Sequence, residues 1–260
     1  MAVENSSSVP SRFTLRKEYF GGLVHDAKTT AYEVLNPQEY DFVARLAQAE
    51  QIVYDTVLGN NPDLASRAQT FANFGFLDID PNKGVLMTSV RAIPPPLKIH
   101  EGVLTAPIRV YDTYTKRCNF ECQHCYAASN PHVKEERRTI EQTADIMKKF
   151  YEAGSMEWRF TGGEATIYPD LFDAMSIAKG FGMNVSLNTN GWWSQKTAER
   201  IFQADISEMV ISLEGRAPVN DERRKRGSFD RVMEVFDMIR DHNASSPEKA
   251  ISIVVNTSIG

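Results

Sequence analysis

The 260-residue chain has only three cysteines, and all three lie within residues 118–125. So few, in odd number, exclude a disulfide framework and fit a reducing compartment and a metal site better. No run of about 18 apolar residues occurs, so no membrane partner is expected. The N-terminal stretch MAVENSSSVPSR lacks the apolar core of a secretion signal, which leaves a cytoplasmic location as the expectation. Positive charge is not in surplus. With 29 Lys and Arg against 34 Asp and Glu, the net charge of -5 argues against a nucleic-acid partner. Low-complexity tracts and strong internal repeats are also missing.

What is present reads as three regions. Residues 11–80 open with stretches rich in β-branched and aromatic residues, FTLRKEYFGGLVHD and TTAYEVLN, which predict two or three short antiparallel strands. A helix follows, with Asn36 as N-cap, Pro37 in the first turn and Glu39 completing a capping box. NPDLASRAQTFANFG predicts a second helix ending near Gly75. Residues 81–105 carry Pro94-Pro95-Pro96 and scattered glycines and read as a semi-rigid, extended linker. From residue 106 to 260, short apolar runs alternate with amphipathic stretches. One of these helices is opened by a Thr139 and Gln142 capping box and closed by Gly154. Five strands separated by helices predict an α/β region with a parallel sheet.

The thiols are spaced CxxxCxxC, directly after the first strand of the βα region. Thiolates are soft ligands, suited to iron–sulfur clusters, zinc or copper(I). A four-iron cubane normally takes one cysteine per iron, so three cysteines leave one iron open to a small molecule. Two blander readings stand beside this one. Buried thiols acting as small hydrophobes fit poorly with the polar neighbours Asn119, Glu121, Gln123 and His124. A zinc ion held by the cysteines and either His124 or His132 is the better of the two, although His124 abuts Cys125 awkwardly for one tetrahedral ion.

CNFECQHCY resembles the signature of the radical S-adenosylmethionine (radical SAM) superfamily. The resemblance continues at Thr161-Gly162-Gly163-Glu164, at SLNTNG (186–191) and at ISLEG (211–215), and covers roughly residues 106–260. It implies a partial (β/α) TIM-type barrel and a [4Fe-4S] cluster held by Cys118, Cys122 and Cys125. S-adenosylmethionine would chelate the fourth iron, and an electron donor such as flavodoxin or ferredoxin would drive its cleavage to a 5′-deoxyadenosyl radical. Gly162, Gly163, Glu164, Asn188, Ser212 and Arg224 would bind the cofactor. Glu164 would accept hydrogen bonds from its ammonium, and Arg224 would pair with its carboxylate through an Asp221-x-x-Arg224 pattern, with Arg226 as the alternative. The chain departs from the family at Ala165, where proline is usual, and at Glu214, where aspartate is usual.

EYFGGLVHD…AYEVLNPQEYDFVARL resembles the small peptide-binding domain fused to many radical SAM maturases of ribosomal peptides, whose stand-alone relative is the peptide chaperone of pyrroloquinoline quinone biosynthesis. It implies a winged-helix-like α+β domain over residues 11–80. A leader peptide would add as a strand beside residues 29–35, against the helix around residues 64–74. The expected function is radical SAM modification of a ribosomally synthesised precursor peptide. A small-molecule or porphyrin-like substrate, or a peptide chaperone with a non-catalytic metal domain, are the alternatives. The superfamily's barrel usually has six strands and many maturases carry a cysteine-rich extension, so the chain is expected to be incomplete at its C-terminus.

Overall fold

The computed structural model describes residues 11–48, 61–80 and 84–258 of the protein. Residues 81–83, where the expected linker begins, thus lie outside the described residues. The chain divides into two compact units. One runs to Pro107 and includes Glu152–Met156; the other comprises Ile108–Tyr151 and Glu157–Gly260.

In the first unit, Phe13–Glu18 (β1) and Gly21–Asp26 (β2) pair antiparallel, and Tyr32–Leu35 (β3) adds antiparallel to β2. Helix α1 (Pro37–Gln48) starts on a reciprocal capping box. Asn36 Oδ1 accepts from Glu39 N at 2.9 Å, and Asn36 N donates to Glu39 Oε2 at 2.8 Å. Helix α2 (Pro62–Phe74) is capped by Asn61 and ends on Gly75, which supplies a left-handed φ of 99°. Phe13, Leu15, Val24, Leu35, Phe42, Phe71 and Phe76 close the core between sheet and helices.

Part of the expected linker, residues 84–92, forms strands. Gly84–Met87 (β5) pairs with Leu77–Asp80 (β4), and Val90–Ala92 (β6) pairs parallel to β1. The sheet order is therefore β3-β2-β1-β6. These strands are three or four residues long, too short to set up a readable alternation, and the β6 pairing spans most of the unit.

In the second unit, five strands pair in parallel in the order β11-β10-β9-β8-β7. They are Arg109–Thr115 (β7), Glu157–Gly162 (β8), Asn184–Thr189 (β9), Glu208–Ser212 (β10) and Ser252–Asn256 (β11). Helices Ile140–Ala153 (α3), Leu171–Gly180 (α4), Gln195–Gln203 (α5), Ala217–Arg223 (α6) and Ser228–Ser245 (α7) connect them. Helix α3 opens on the second expected capping box, Thr139 with Gln142.

Alternation along the strands gives the sheet two unlike faces. Trp158, Phe160, Val185, Leu187, Met209 and Ile211 point to the helices, where they pack with Met175, Ile201, Val232 and Ile239. The opposite face carries Arg109, Tyr111, Glu157, Arg159, Thr161, Ser186, Asn188, Glu208 and Ser212. Tyr111, Arg159, Ser186 and Glu208 stand side by side in register. Arg159 donates to Ser186 Oγ at 2.9 Å and pairs with Glu208, while Arg109 pairs with Glu157.

Burial pushes the Glu157 carboxyl up to about 7 from its ordinary 4.5, against the pull of Arg159. A folded state that holds the proton more tightly than the unfolded chain loses stability as pH rises between those two values. The loss is about 3 kcal/mol. Glu157→Gln is expected to remove most of it, so that urea unfolding at about pH 5 and about pH 8 gives more similar stabilities than in the wild type. An undiminished pH dependence in the variant would count against this account.

Candidate functional site

All five parallel strands end on the same edge, which is where α/β sheets build their ligand sites. The cysteine loop leaves β7 there and is fastened at both ends. Cys118 N donates to Asn130 O at 3.2 Å, beside a parallel bridge between Arg117 and Asn130. Gly163 N donates to Thr115 O at 2.7 Å, and Glu164 N to Arg117 O at 3.0 Å. These two bonds lay the end of β8 directly on the backbone that leads into the loop. A side chain at either glycine has no room: a Cβ at Gly162 would stand 2.1 Å from Thr115 O, and one at Gly163 2.1 Å from Arg117 O. The glycines therefore serve first an approach of backbone to backbone.

Cys118, Cys122 and Cys125 are free, half-buried thiols lining one cleft with Gly162, Gly163, Asn188, Ser212 and Arg224. Six of the predicted cofactor and metal residues outside the glycines thus converge there. Phe120 N donates to Cys118 Sγ at 3.4 Å. Burial pushes the Cys118 thiol up to about 11 and Cys122 in the same direction. Arg224 pulls Cys122 the other way without cancelling the effect of burial; metal ions would supply the larger positive charge that thiolates need. Among the described residues, no group of three or more His, Cys, Asp and Glu closes on a single-ion position. The Nε2 of His124 is engaged, at 3.0 Å from Glu214 Oε1, which leaves only Nδ1 to meet a metal ion.

Four polar atoms of cleft-lining residues are buried without a partner among the described residues: Asn188 Oδ1, Arg224 Nε, His124 Nδ1 and Ser129 Oγ. Unsatisfied buried polar groups call for a ligand, ion or water. Asn188 is held by its other end, Nδ2 donating to Thr161 Oγ1 at 3.2 Å. Of the two arginines in question, Arg224 lines the cleft and Arg226 is exposed. Asp221, the first residue of that pattern, serves the neighbouring helix. It accepts Gly227 N at 2.6 Å and Phe229 N at 2.9 Å, capping the start of α7.

Glu164 lies beneath the cleft rather than in it. It is fully buried, with Oε1 accepting from Thr166 Oγ1 (2.6 Å) and Thr189 Oγ1 (2.9 Å), and Oε2 from Asn190 N (2.7 Å). An ammonium acceptor needs a free, accessible oxygen; these are committed to tying the end of β8 to the end of β9.

Sequence reasoning missed the partners that continue this tie. Asn190 Nδ2 donates to Asn119 Oδ1 at 2.8 Å, and Asn119 Nδ2 to Trp192 O at 3.2 Å. Trp192 meets Phe120 edge-on at 5.7 Å, with Lys225 Nζ 4.4 Å from the Trp192 ring centre. The only signal in the sequence is that Asn119 and Phe120 directly follow Cys118.

A sequence profile of the radical SAM superfamily matches residues 113–256, more than half of the chain. The chain belongs to the radical SAM superfamily. Members of this superfamily are enzymes that bind a [4Fe-4S] cluster and S-adenosylmethionine. This radical SAM chain is 31% identical over 171 residues to mycofactocin maturase MftC of Mycolicibacterium smegmatis, covering 65% of the chain and 43% of that protein. It is 26% identical over 225 residues to the subtilosin biosynthesis protein AlbA of Bacillus subtilis, covering 84% of the chain and 48% of AlbA. The chain thus spans less than half the length of either relative. Its fold is similar to that of Streptococcus suis SuiB crystallised with the precursor peptide SuiA, at a TM-score of 0.63 and 15% identity, over 96% of the chain and 56% of SuiB.

Proposed function

We propose that this radical SAM enzyme modifies a ribosomally synthesised precursor peptide. The observation that carries the chemistry is the cleft that three free thiols share with Asn188 and Arg224, whose Oδ1 and Nε atoms have no partner among the described residues. Cys118, Cys122 and Cys125 would hold three irons of a [4Fe-4S] cluster, and the orphaned polar atoms fit an amino-acid ligand beside it. Bound there, cluster and S-adenosylmethionine supply a 5′-deoxyadenosyl radical that abstracts hydrogen from the substrate, with an electron from a donor such as flavodoxin or ferredoxin. The chain's own residues do the positioning. Arg224 Nε donates toward a carboxylate, Asn188 Oδ1 accepts from a donor, Ser212 offers its hydroxyl, and the bare backbone of Gly162 and Gly163 forms the wall. Phe120 and Trp192 shield one flank of the cysteine loop. The sequential parallel order of the five strands suits a partial (β/α) barrel of TIM type, with residues 106–260 as the radical SAM domain. No helix among the described residues is long and apolar enough to cross a membrane, and a cytoplasmic enzyme is the reading adopted.

The peptide reading rests on the first unit, a winged-helix-like recognition domain over residues 11–80 joined by β5 and β6. β3 is the outer strand of its sheet. Asp26 N donates to Ala31 O, so in the β2–β3 register Glu33 and Leu35 also turn toward β2. The N–H and C=O groups of Tyr32 and Val34 therefore face outward, a template for an added strand. Val34 is 57% exposed. Arg67 of α2 braces this edge. It donates to Val34 O at 3.1 Å, Glu33 Oε1 at 2.7 Å and Glu39 Oε1 at 2.7 Å, and lies over the Phe71 ring at 4.8 Å. The likeness to AlbA extends over 84% of the chain, beyond the radical SAM match.

Intact mass of the precursor peptide encoded beside the gene, after co-expression with this chain, tests the reading. A mass change that depends on S-adenosylmethionine cleavage supports it. 5′-Deoxyadenosine formed without any change in the peptide points to a small-molecule substrate instead. Arg67→Ala is expected to weaken binding of that peptide to the whole chain about tenfold, measured by fluorescence anisotropy. Wild-type affinity in the variant would remove Arg67 from the docking surface.

A further inference from the structure

Glu214, two residues beyond the end of β10, is not used by the chemistry above, yet it connects most of the cleft. Its side chain is almost fully buried. Oε1 accepts from His124 Nε2 at 3.0 Å and from Arg224 Nη1 at 2.9 Å; Oε2 accepts from Ser258 N at 2.7 Å. Its own N–H donates to Asn220 Oδ1 at 2.9 Å, and Asn220 donates onward to Ser228 at 2.8 Å. One carboxylate thus joins the cysteine loop, the end of α6 and the segment after β11.

All three groups at the carboxylate are donors, so only an acceptor with two free oxygens can satisfy them. The consequence for His124 is specific. With Nε2 as the donor to Glu214, the hydrogen of a neutral ring sits on Nε2, and Nδ1 is left as an acceptor. That Nδ1 is buried without a partner in the wall of the cleft, between Cys122 and Cys125. Arg224 spends Nη1 on Glu214 and keeps Nε, a donor, unpartnered in the same wall. The carboxylate therefore orients an acceptor and a donor toward one space.

We propose that Glu214 is a positioning residue for S-adenosylmethionine, holding His124 and Arg224 so that His124 Nδ1 and Arg224 Nε face the bound cofactor. The inference rests on the reading that this cleft holds the cluster and S-adenosylmethionine. Glutamine with its carbonyl at the Oε1 position could still accept from both His124 and Arg224, so it does not separate them from their acceptor. Leucine at this position keeps the bulk but accepts no hydrogen bond, and both side chains lose the group that orients them while the three cysteines remain.

The test uses anaerobically reconstituted whole chain: wild type, Glu214→Leu, Arg224→Gln and the double variant. Iron content and melting temperature establish that each is loaded and folded. Titration with S-adenosylmethionine, followed by the change in the electron paramagnetic resonance signal of the reduced cluster, gives the affinity. Glu214→Leu is expected to retain its iron and bind S-adenosylmethionine at least about tenfold more weakly. The double variant is expected to be no worse than the weaker single, because one residue acts through the other. Wild-type affinity in Glu214→Leu, or losses that multiply in the double variant, overturns the proposal. Should Glu214→Leu fail to load iron, His124→Gln carries the same comparison: a tenfold loss in the loaded protein supports the proposal and wild-type affinity overturns it. A wild type that takes up no iron, or whose signal S-adenosylmethionine leaves unchanged, refutes the underlying reading of the cleft, which is a separate outcome.

Discussion

Replacing Cys118, Cys122 or Cys125 by serine, one at a time, is expected to lower bound iron from about four atoms per chain to below about one. Formation of 5′-deoxyadenosine should fall to background in each variant. The chain has no fourth cysteine to take over, and a serine hydroxyl is a hard, neutral ligand where soft thiolate is needed. The thiols are half-buried on a loop, outside the apolar cluster of the second unit, so melting of the iron-free proteins should change little. Lost iron with unchanged melting separates a missing ligand from a damaged fold. Iron retained at wild-type level in any single variant would show that its cysteine is not a ligand.

Gly163→Ala is expected to be nearly as damaging by a different route. Its φ is not the obstacle; space is. The added methyl would stand 2.1 Å from Arg117 O, 2.5 Å from Arg117 C and 3.1 Å from Cys118 N. All three are backbone atoms, so no side chain can rotate away. Relief requires lifting the start of the cysteine loop off the end of β8, which breaks the Gly163 to Thr115 and Glu164 to Arg117 hydrogen bonds. Overpacking of this kind costs about 3 kcal/mol or more, a fall in melting temperature of roughly 6–12 °C for a chain of this size. Cys118 moves with the loop, so iron loading of the surviving folded protein should fall as well. Gly180→Ala is the control. A methyl added at that glycine, at the end of α4, meets nothing within 4 Å, and alanine there should be neutral. Similar losses in the two variants would show that the effect is generic to glycine replacement.

Local signals in this chain are legible wherever partner and motif lie within a few residues. The Asn36–Glu39 and Thr139–Gln142 capping boxes are built as their spacing predicts, because both halves belong to one helical turn. The cysteine spacing, the glycine pair and the strand-ending positions of Asn188 and Ser212 are equally readable, and the parallel sheet brings them to one edge. What stays hidden depends on contacts between distant segments. Nothing near Glu164 reveals that Thr189 and Asn190 arrive from the next strand to occupy its oxygens. From the sequence His124 is visible only as a possible metal ligand, since its partner Glu214 lies 90 residues away. The strands β5 and β6 read as linker because their identity comes from β4 and β1, not from their own few residues.

The two faces of the five-stranded sheet bear on how such a sequence can drift. Residues that keep the unit folded point to the helices, whereas those on the other face contribute little to the apolar core. Hydroxyl and amide positions such as Ser186 or Asn188 can change one at a time with modest loss of stability. The charged positions cannot: removing Arg159 takes the ion-pair partner from Glu208, and removing Arg109 takes one from the buried carboxylate of Glu157. Breaking such a partly buried pair from one side leaves the remaining group without its partner. Exchange at these positions should therefore occur in pairs, and a set of homologous sequences should carry that history as covariation between 159 and 208, and between 109 and 157.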